Sequence, residues 1–349
     1  MARSRTVAFS RAATNVFFHI LTGCNLRCRH CYINPDQHGE DMLPVSTIAA
    51  WLSAFADRAD RANLILLGGE PTLHPGLADA IRAARRIGFR SVTVDTNGYL
   101  FHDILDRVTP AEVDVFSFSL DGATAATNDA IRGEGVHETC LAGIRAAKAR
   151  GFGVSLIYTV SAANLRELDR MPPLLRELGV DRFFIQVIGL RGKSAGAGKT
   201  LRLSRAEWLS VVPSAAEAAA ESGIPTFYPR VFLEDEEPFA CAGTCADNYF
   251  IFPNGRVYRC PLCEDYPLHG MEFSGDRLIS RPPVNEGDLF ALSIPEGCVM
   301  NRLIQPDNLR YAPDGRPEYR IACCMLKEEV RPETSAGDLT IEPPADRKS

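Results

Sequence analysis

The sequence predicts an α/β protein: a parallel sheet built by strand–helix alternation, followed by a small cysteine-rich domain. Three observations predict it. Six apolar, β-branched or aromatic runs alternate with helix-period segments between about Asn15 and Glu221. The alternation stops near Pro225, where turns, prolines and cysteines take over. Ten of the 11 cysteines sit in two groups, at 24–31 and 241–324. Clustered thiols of this kind organise metal sites rather than a large apolar core.

The elements follow in order. Strands are expected at Asn15–Leu21, Asn63–Leu67, Ser91–Val94, Val113–Leu120, Gly153–Val160 and Arg182–Leu190. Helices are expected at Val45–Arg61, Leu77–Ile87, Val136–Arg150, Asn164–Leu178 and Ser204–Glu221. In the first of these, Ile48, Trp51, Leu52 and Phe55 share one helical face. Ser204 and Asn164 are candidate N-caps. An open doubly wound sheet and a barrel both fit the pattern, and in either case sites belong at the C-terminal ends of strands. The segment 191–200 ends in Gly198-Lys199-Thr200 but has Lys193 where a phosphate-binding loop needs glycine. ATP binding is therefore rejected, and the segment reads as a mobile surface loop.

The 349 residues are 46% hydrophobic and 23% charged, which excludes a disordered chain. Lysine plus arginine number 38 against 44 acids, a net −6, which argues against bulk binding of nucleic acid. No apolar run approaches a membrane span. The run Val16–Leu21 is too short for a signal-peptide core, so a cytoplasmic protein with reduced thiols is expected. Cys140, alone in a helical pattern, reads as a core residue.

The first strand runs into Cys24-x3-Cys28-x2-Cys31. Three thiolates within eight residues suit a cubane iron–sulfur cluster and leave one iron open. Zinc, with His30 or His19 as fourth ligand, is the alternative. The second strand runs into Gly68-Gly69-Glu70, where two glycines admit close backbone approach. The third ends in Thr96-Asn97-Gly98, and the fourth in Ser119-Leu120-Asp121-Gly122. Residues spaced by two face one side of a strand, so Ser119 and Asp121 together can hold a ribose diol.

These motifs, in this order at successive strand ends, resemble those of the radical S-adenosylmethionine (SAM) enzymes over roughly residues 15–190. The resemblance implies a partial (β/α)6 TIM-like barrel. It implies a [4Fe–4S] cluster on Cys24, Cys28 and Cys31, with SAM on the open iron. It assigns Gly68, Gly69 and Glu70 to the SAM ammonium, Ser119 and Asp121 to its ribose, and Asn97 to a place over the cofactor. Arg132, in a segment resembling a family motif, is either a partner for the SAM carboxylate or a surface helix residue. No catalytic acid or base is identified.

Towards the C-terminus, Cys245 and Cys260 flank two short apolar runs joined by Pro253-Asn254-Gly255, a hairpin signal that brings them together. Cys263 lies three residues further on. This C-x9-G-x4-C unit resembles the opening of the SPASM or twitch auxiliary-cluster region, and implies an auxiliary [4Fe–4S] cluster on Cys245, Cys260 and Cys263 with Cys323 or Cys324. A zinc knuckle is the alternative. The cysteine run that completes a full SPASM region is missing. The expected organisation is an N-terminal extension (1–14), a radical SAM core (15–224), an iron–sulfur domain (225–331) and a disordered tail (332–349).

The function so implied is reductive cleavage of SAM to a 5′-deoxyadenosyl radical that takes hydrogen from a substrate, read first as a peptide or protein. The alternatives are a small-metabolite substrate, or a non-catalytic zinc protein. The expected partner is an electron donor such as flavodoxin or ferredoxin, with no membrane and no nucleic acid.

Overall fold

The computed structural model describes residues 2–7, 13–39, 42–99, 101–265, 268–282 and 284–333. The expected tail beyond residue 333 lies outside the described residues, as do 8–12 of the N-terminal extension. Among the described residues, thirteen strands join in one sheet. In chain order they are β1 (Ala2–Val7), β2 (Thr14–His19), β3 (Ala62–Leu67), β4 (Ser91–Thr96), β5 (Val115–Ser119), β6 (Gly153–Val160), β7 (Arg182–Val187), β8 (Thr226–Pro229), β9 (Asp247–Ile251), β10 (Arg256–Tyr258), β11 (Met271–Ser274), β12 (Arg277–Ser280) and β13 (Leu326–Arg331). The sheet order is β1-β13-β8-β7-β6-β5-β4-β3-β2-β9-β10-β11-β12.

That order decides between the two candidate architectures. Strands β2 to β7 follow one another in sequence, all parallel, with no reversal of direction across the sheet. A doubly wound sheet requires such a reversal, whereas consecutive winding is the arrangement of a barrel. The fold is a mixed α/β, partial TIM-like barrel. Parallel β8 and β9 extend its two sides, and antiparallel strands continue beyond them.

Alternation along each strand sorts the two faces. Val16, Phe18, Leu64, Leu66, Val92, Val94, Phe116, Phe118, Val154 and Leu156 are fully buried in the main core, beside Trp51, Leu52, Ile81 and Ile144 of the crossover helices. The intervening residues face inward. At the N-terminal ends of the strands they form a polar ladder. Asn63 donates to Asn15 at 3.0 Å, Asn15 to Asn248 at 2.9 Å, and Ser91 to Asn63 at 2.7 Å. At the C-terminal ends they open onto a cavity of about 750 Å³.

Several elements differ from expectation for local reasons. The helix from Val45 stops at Ser53, and a 3₁₀ turn covers Ala56–Arg61. Pro172 and Pro173 hold the helix expected from Asn164 to Met171–Glu177, behind a 3₁₀ turn at Leu165–Arg170. Asn164 caps nothing there; its amide bonds the backbone of Asp121, Thr159 and Ser161. Ser204 does cap Arg205–Glu221, in a reciprocal capping box with Glu207. The glycine-rich segment after β7 is not a bare surface loop. Arg191 and Ser194 are buried, and a Cβ on Gly192 would lie 2.3 Å from the Tyr32 carbonyl oxygen.

Candidate active site

Three strand ends build the cysteine site. The chain leaving β2 bends over the end of β3, where Gly69 N–H donates to Leu21 and Glu70 N–H to Gly23, both at 3.0 Å. A Cβ on Gly69 would sit 2.1 Å from the Gly23 oxygen and 2.4 Å from the Thr22 oxygen. Only glycine lets these two backbones meet. Cys24, Cys28 and Cys31 all line the cavity, and none is in a disulfide.

Glu70 is 1% exposed, and its carboxylate is fully engaged. One oxygen accepts from Thr72 N–H at 3.0 Å, Thr72 Oγ1 at 2.6 Å and Thr96 Oγ1 at 2.8 Å. The other accepts from Asn97 N–H at 2.7 Å. The side chain therefore ties the end of β3 to the end of β4. Asn97 Nδ2 in turn donates to Asn25 Oδ1 at 2.8 Å and lies 3.7 Å from Cys24 Sγ. The Gly-Gly-Glu and Thr-Asn-Gly segments thus brace the cysteine loop as well as facing the cavity.

Ser119 lines the cavity from the end of β5, as does Arg132. Asp121 does not. It is wholly buried behind the cysteine loop, and its Oδ1 accepts Thr159 N–H at 2.7 Å. Its Oδ2 lies 2.6 Å from Arg132 Nε and 3.2 Å from His30 Nε2. Burial, chiefly, lowers the pKa of His30, against the opposing pull of Asp121. Arg132 is 7% exposed, which removes the surface-residue alternative.

Three free thiols converging on one cavity fit an iron–sulfur cluster. Burial pushes the Cys24 thiol up to about 11, and raises Cys28 as well. Neutral thiols wait for a metal to displace their protons. Among the described residues, no three His, Cys, Asp or Glu side chains are grouped to hold one metal ion. The alternative zinc ligands are committed elsewhere. His19 Nε2 bonds Tyr32 OH at 2.8 Å and its Nδ1 the Ile251 carbonyl at 3.1 Å, while His30 faces Asp121.

The C-terminal cysteines gather as a second group. The hairpin forms as read, with Val257 opposite Ile251 and Tyr258 opposite Phe250. Cys241, Cys260, Cys298, Cys323 and Cys324 line one small cavity, and Cys263 hydrogen-bonds Cys260. Cys245 is exposed and outside that lining, one helical turn beyond Cys241. A hydrogen bond from Cys241 lowers the pKa of Cys323, which also accepts the Ala242 N–H at 3.4 Å. Cys140 is fully buried, as expected.

Sequence reading missed three cavity residues. Asp95 lines the cavity from β4, and burial raises its pKa to about 7. Its place two residues before Asn97 was the available signal. Gln186 and Lys327 line it from β7 and β13, and nothing local in the sequence marks them.

Residues 18–171 match the profile of the Radical SAM superfamily. The chain is 32% identical over 216 residues to a pre-heme d1 synthase of Dinoroseobacter shibae, covering 60% of this chain and 53% of that protein. It is 26% identical over 273 residues to an AdoMet-dependent heme synthase of Methanosarcina barkeri, covering 76% of this chain and 71% of that one. The chain thus spans about half the length of the first relative and seven tenths of the second. Its fold resembles that of Streptococcus suis SuiB bound to S-adenosylmethionine, with TM-score 0.64 and 14% identity over 81% of this chain and 69% of that one. Among the described residues, no helix is long and apolar enough to cross a membrane.

Proposed function

We propose, taking as premise that residues 18–171 belong to the radical SAM superfamily, that the chain is an enzyme cleaving SAM reductively to abstract hydrogen from a small organic substrate. When bound, the cluster and SAM supply the electron and the 5′-deoxyadenosyl radical. Everything else is the work of this chain's residues. Cys24, Cys28 and Cys31 hold the cluster; Gly68 and Gly69 bring backbone beside it; Glu70 and Asn97 fix the loop that carries it. Ser119 and Arg132 offer a hydroxyl and a cation to SAM from the same cavity. Asp121 acts through Arg132 and His30 rather than by touching SAM.

A small molecule suits the cavity better than a peptide. The cavity of about 750 Å³ must hold SAM and the cluster beside the substrate, which favours a small substrate. The two named relatives are synthases of heme compounds, whereas the likeness to SuiB is one of fold. The C-terminal thiols, Cys241, Cys260, Cys263 and Cys323 with Cys298 and Cys324 beside them, would hold an auxiliary cluster. The electron would come from a flavodoxin- or ferredoxin-type donor.

The observation that carries this reading is the convergence of Cys24, Cys28, Cys31, Gly69, Asn97 and Ser119 on one cavity. Its test is anaerobic incubation of reconstituted protein with SAM and dithionite. 5′-Deoxyadenosine should form, and should vanish in a Cys24/Cys28/Cys31→Ala variant. Turnover retained in that variant would refute the reading.

A further inference from the structure

We propose that Arg191 is a positioning residue that couples the two cysteine groups, its guanidinium set between the neighbour of Cys31 and the neighbours of Cys260 and Cys263. This rests on the reading above, in which both groups hold iron–sulfur clusters, and gives a role to a residue that reading leaves idle. Arg191 lies shortly beyond β7, lines the cavity and is 9% exposed. On one side its guanidinium carbon stands 4.6 Å from the centroid of the Tyr32 ring, and Tyr32 directly follows Cys31. On the other side Nη1 donates to the Pro261 carbonyl, and Nη2 lies 3.2 Å from Glu264 Oε2. Pro261 directly follows Cys260, and Glu264 directly follows Cys263. One side chain thus touches each cysteine loop at a residue next to a thiol.

Both contacts are held in place. Each loop closes a turn on itself: Cys31 N–H donates to the Cys28 carbonyl at 3.3 Å, and Cys263 N–H to the Cys260 carbonyl at 3.1 Å. Tyr32 OH lies 2.8 Å from His19 Nε2, whose Nδ1 is 3.1 Å from the Ile251 carbonyl at the end of β9. His19 is buried and stacks on Phe252, with ring centroids 4.1 Å apart. Gly192 lets the chain after Arg191 press against the Tyr32 carbonyl. Glu264 is 1% exposed. A planar cation between a fixed aromatic face and a fixed carboxylate is held by direction as well as by charge.

The potential of an iron–sulfur centre follows the net charge and the hydrogen bonds around it. A buried charge is poorly screened, so one cation between two centres acts on both. Arg191 favours the added electron at each. Its loss also takes from Glu264 the guanidinium that faces it, which works in the same direction at the second centre.

The test is EPR-monitored potentiometric titration of the anaerobically reconstituted full chain, with a Cys24/Cys28/Cys31→Ala background to assign the two signals. Arg191→Gln should keep its iron and lower the midpoint potential of both centres, each by about ten-fold in the reduction equilibrium, or about 59 mV for one electron. Arg191→Lys, which keeps a charge, should lower both by less. A contact that serves packing alone would leave the potentials in place. Unmoved potentials, a fall at one centre only, a rise at either, or an equal fall in Arg191→Lys would each overturn the proposal. Should Arg191→Gln lose iron, Arg191→Lys carries the test: a fall at both centres supports the proposal, and any other result overturns it. Iron and sulfide counts on the wild type report on the underlying reading. A C-terminal group without iron defeats that reading, whereas two filled centres with unmoved potentials defeat the coupling alone.

Discussion

Asp121 and Arg132 hold each other: Oδ2 of one lies 2.6 Å from Nε of the other, with the carboxylate fully buried. The same oxygen is 3.2 Å from Nε2 of His30, which sits between Cys28 and Cys31. The resemblance assigns both residues to SAM; in the structure the carboxylate pairs with the guanidinium, which also lines the cavity. Through His30 the pair touches the cysteine loop.

Asp121→Asn should therefore destabilise the protein by about 3–5 kcal/mol, the usual result of leaving a buried charge unpaired. Iron content should fall with it. Thermal unfolding and iron analysis check both. An Asp121→Asn/Arg132→Met double variant should recover much of the stability, because the orphaned cation is gone. If the single variant is as stable as wild type, the buried cation does not need its partner.

Gly69→Ala should prevent cluster assembly on the first cysteine group. The new Cβ meets backbone oxygens at 2.1 and 2.4 Å, and backbone cannot swing aside as a side chain can. Gly196→Ala is the control, since a Cβ there has nothing within 4 Å. The visible absorption of the reconstituted proteins distinguishes them, and equal spectra would contradict the close-approach argument.

The second cysteine group makes a sharper demand. Cys245→Ala should retain the iron of the C-terminal domain, because that thiol lies outside the small cavity that Cys241, Cys260 and Cys323 line. Cys241→Ala should lose it. Iron and sulfide counts of the two variants, in a Cys24/Cys28/Cys31→Ala background, read this directly. The reverse outcome would restore Cys245 to the ligand set.

Asp95 links the cavity to pH. Burial raises its pKa from 3.8 to about 7. The folded protein thus holds a proton that the unfolded chain releases between pH 4 and 7. Stability from this group falls as pH rises through that window and is level above it, by at most about 4 kcal/mol. Asp95→Asn should flatten the curve and gain stability at pH 8. Denaturant unfolding at pH 5 and pH 8 measures it; parallel curves for variant and wild type would show that Asp95 ionises freely.

Much of this protein was legible in its residues alone. The six strands of the barrel, their order along the chain and the motifs at their ends depend on short-range periodicity and on spacing within a few residues. Both survive in a bare sequence, as Cys24, Cys28 and Cys31 or Gly68-Gly69-Glu70 illustrate. What only the tertiary structure decided is which distant side chains meet. Winding without reversal selected the barrel over the doubly wound sheet. Register between β7, β8 and β13 put Lys327 beside Gln186, 141 positions apart. Packing placed Cys241, not Cys245, in the small cavity, and turned Asp121 towards Arg132. Such contacts depend on how the whole chain closes, and no local pattern of residues carries that information.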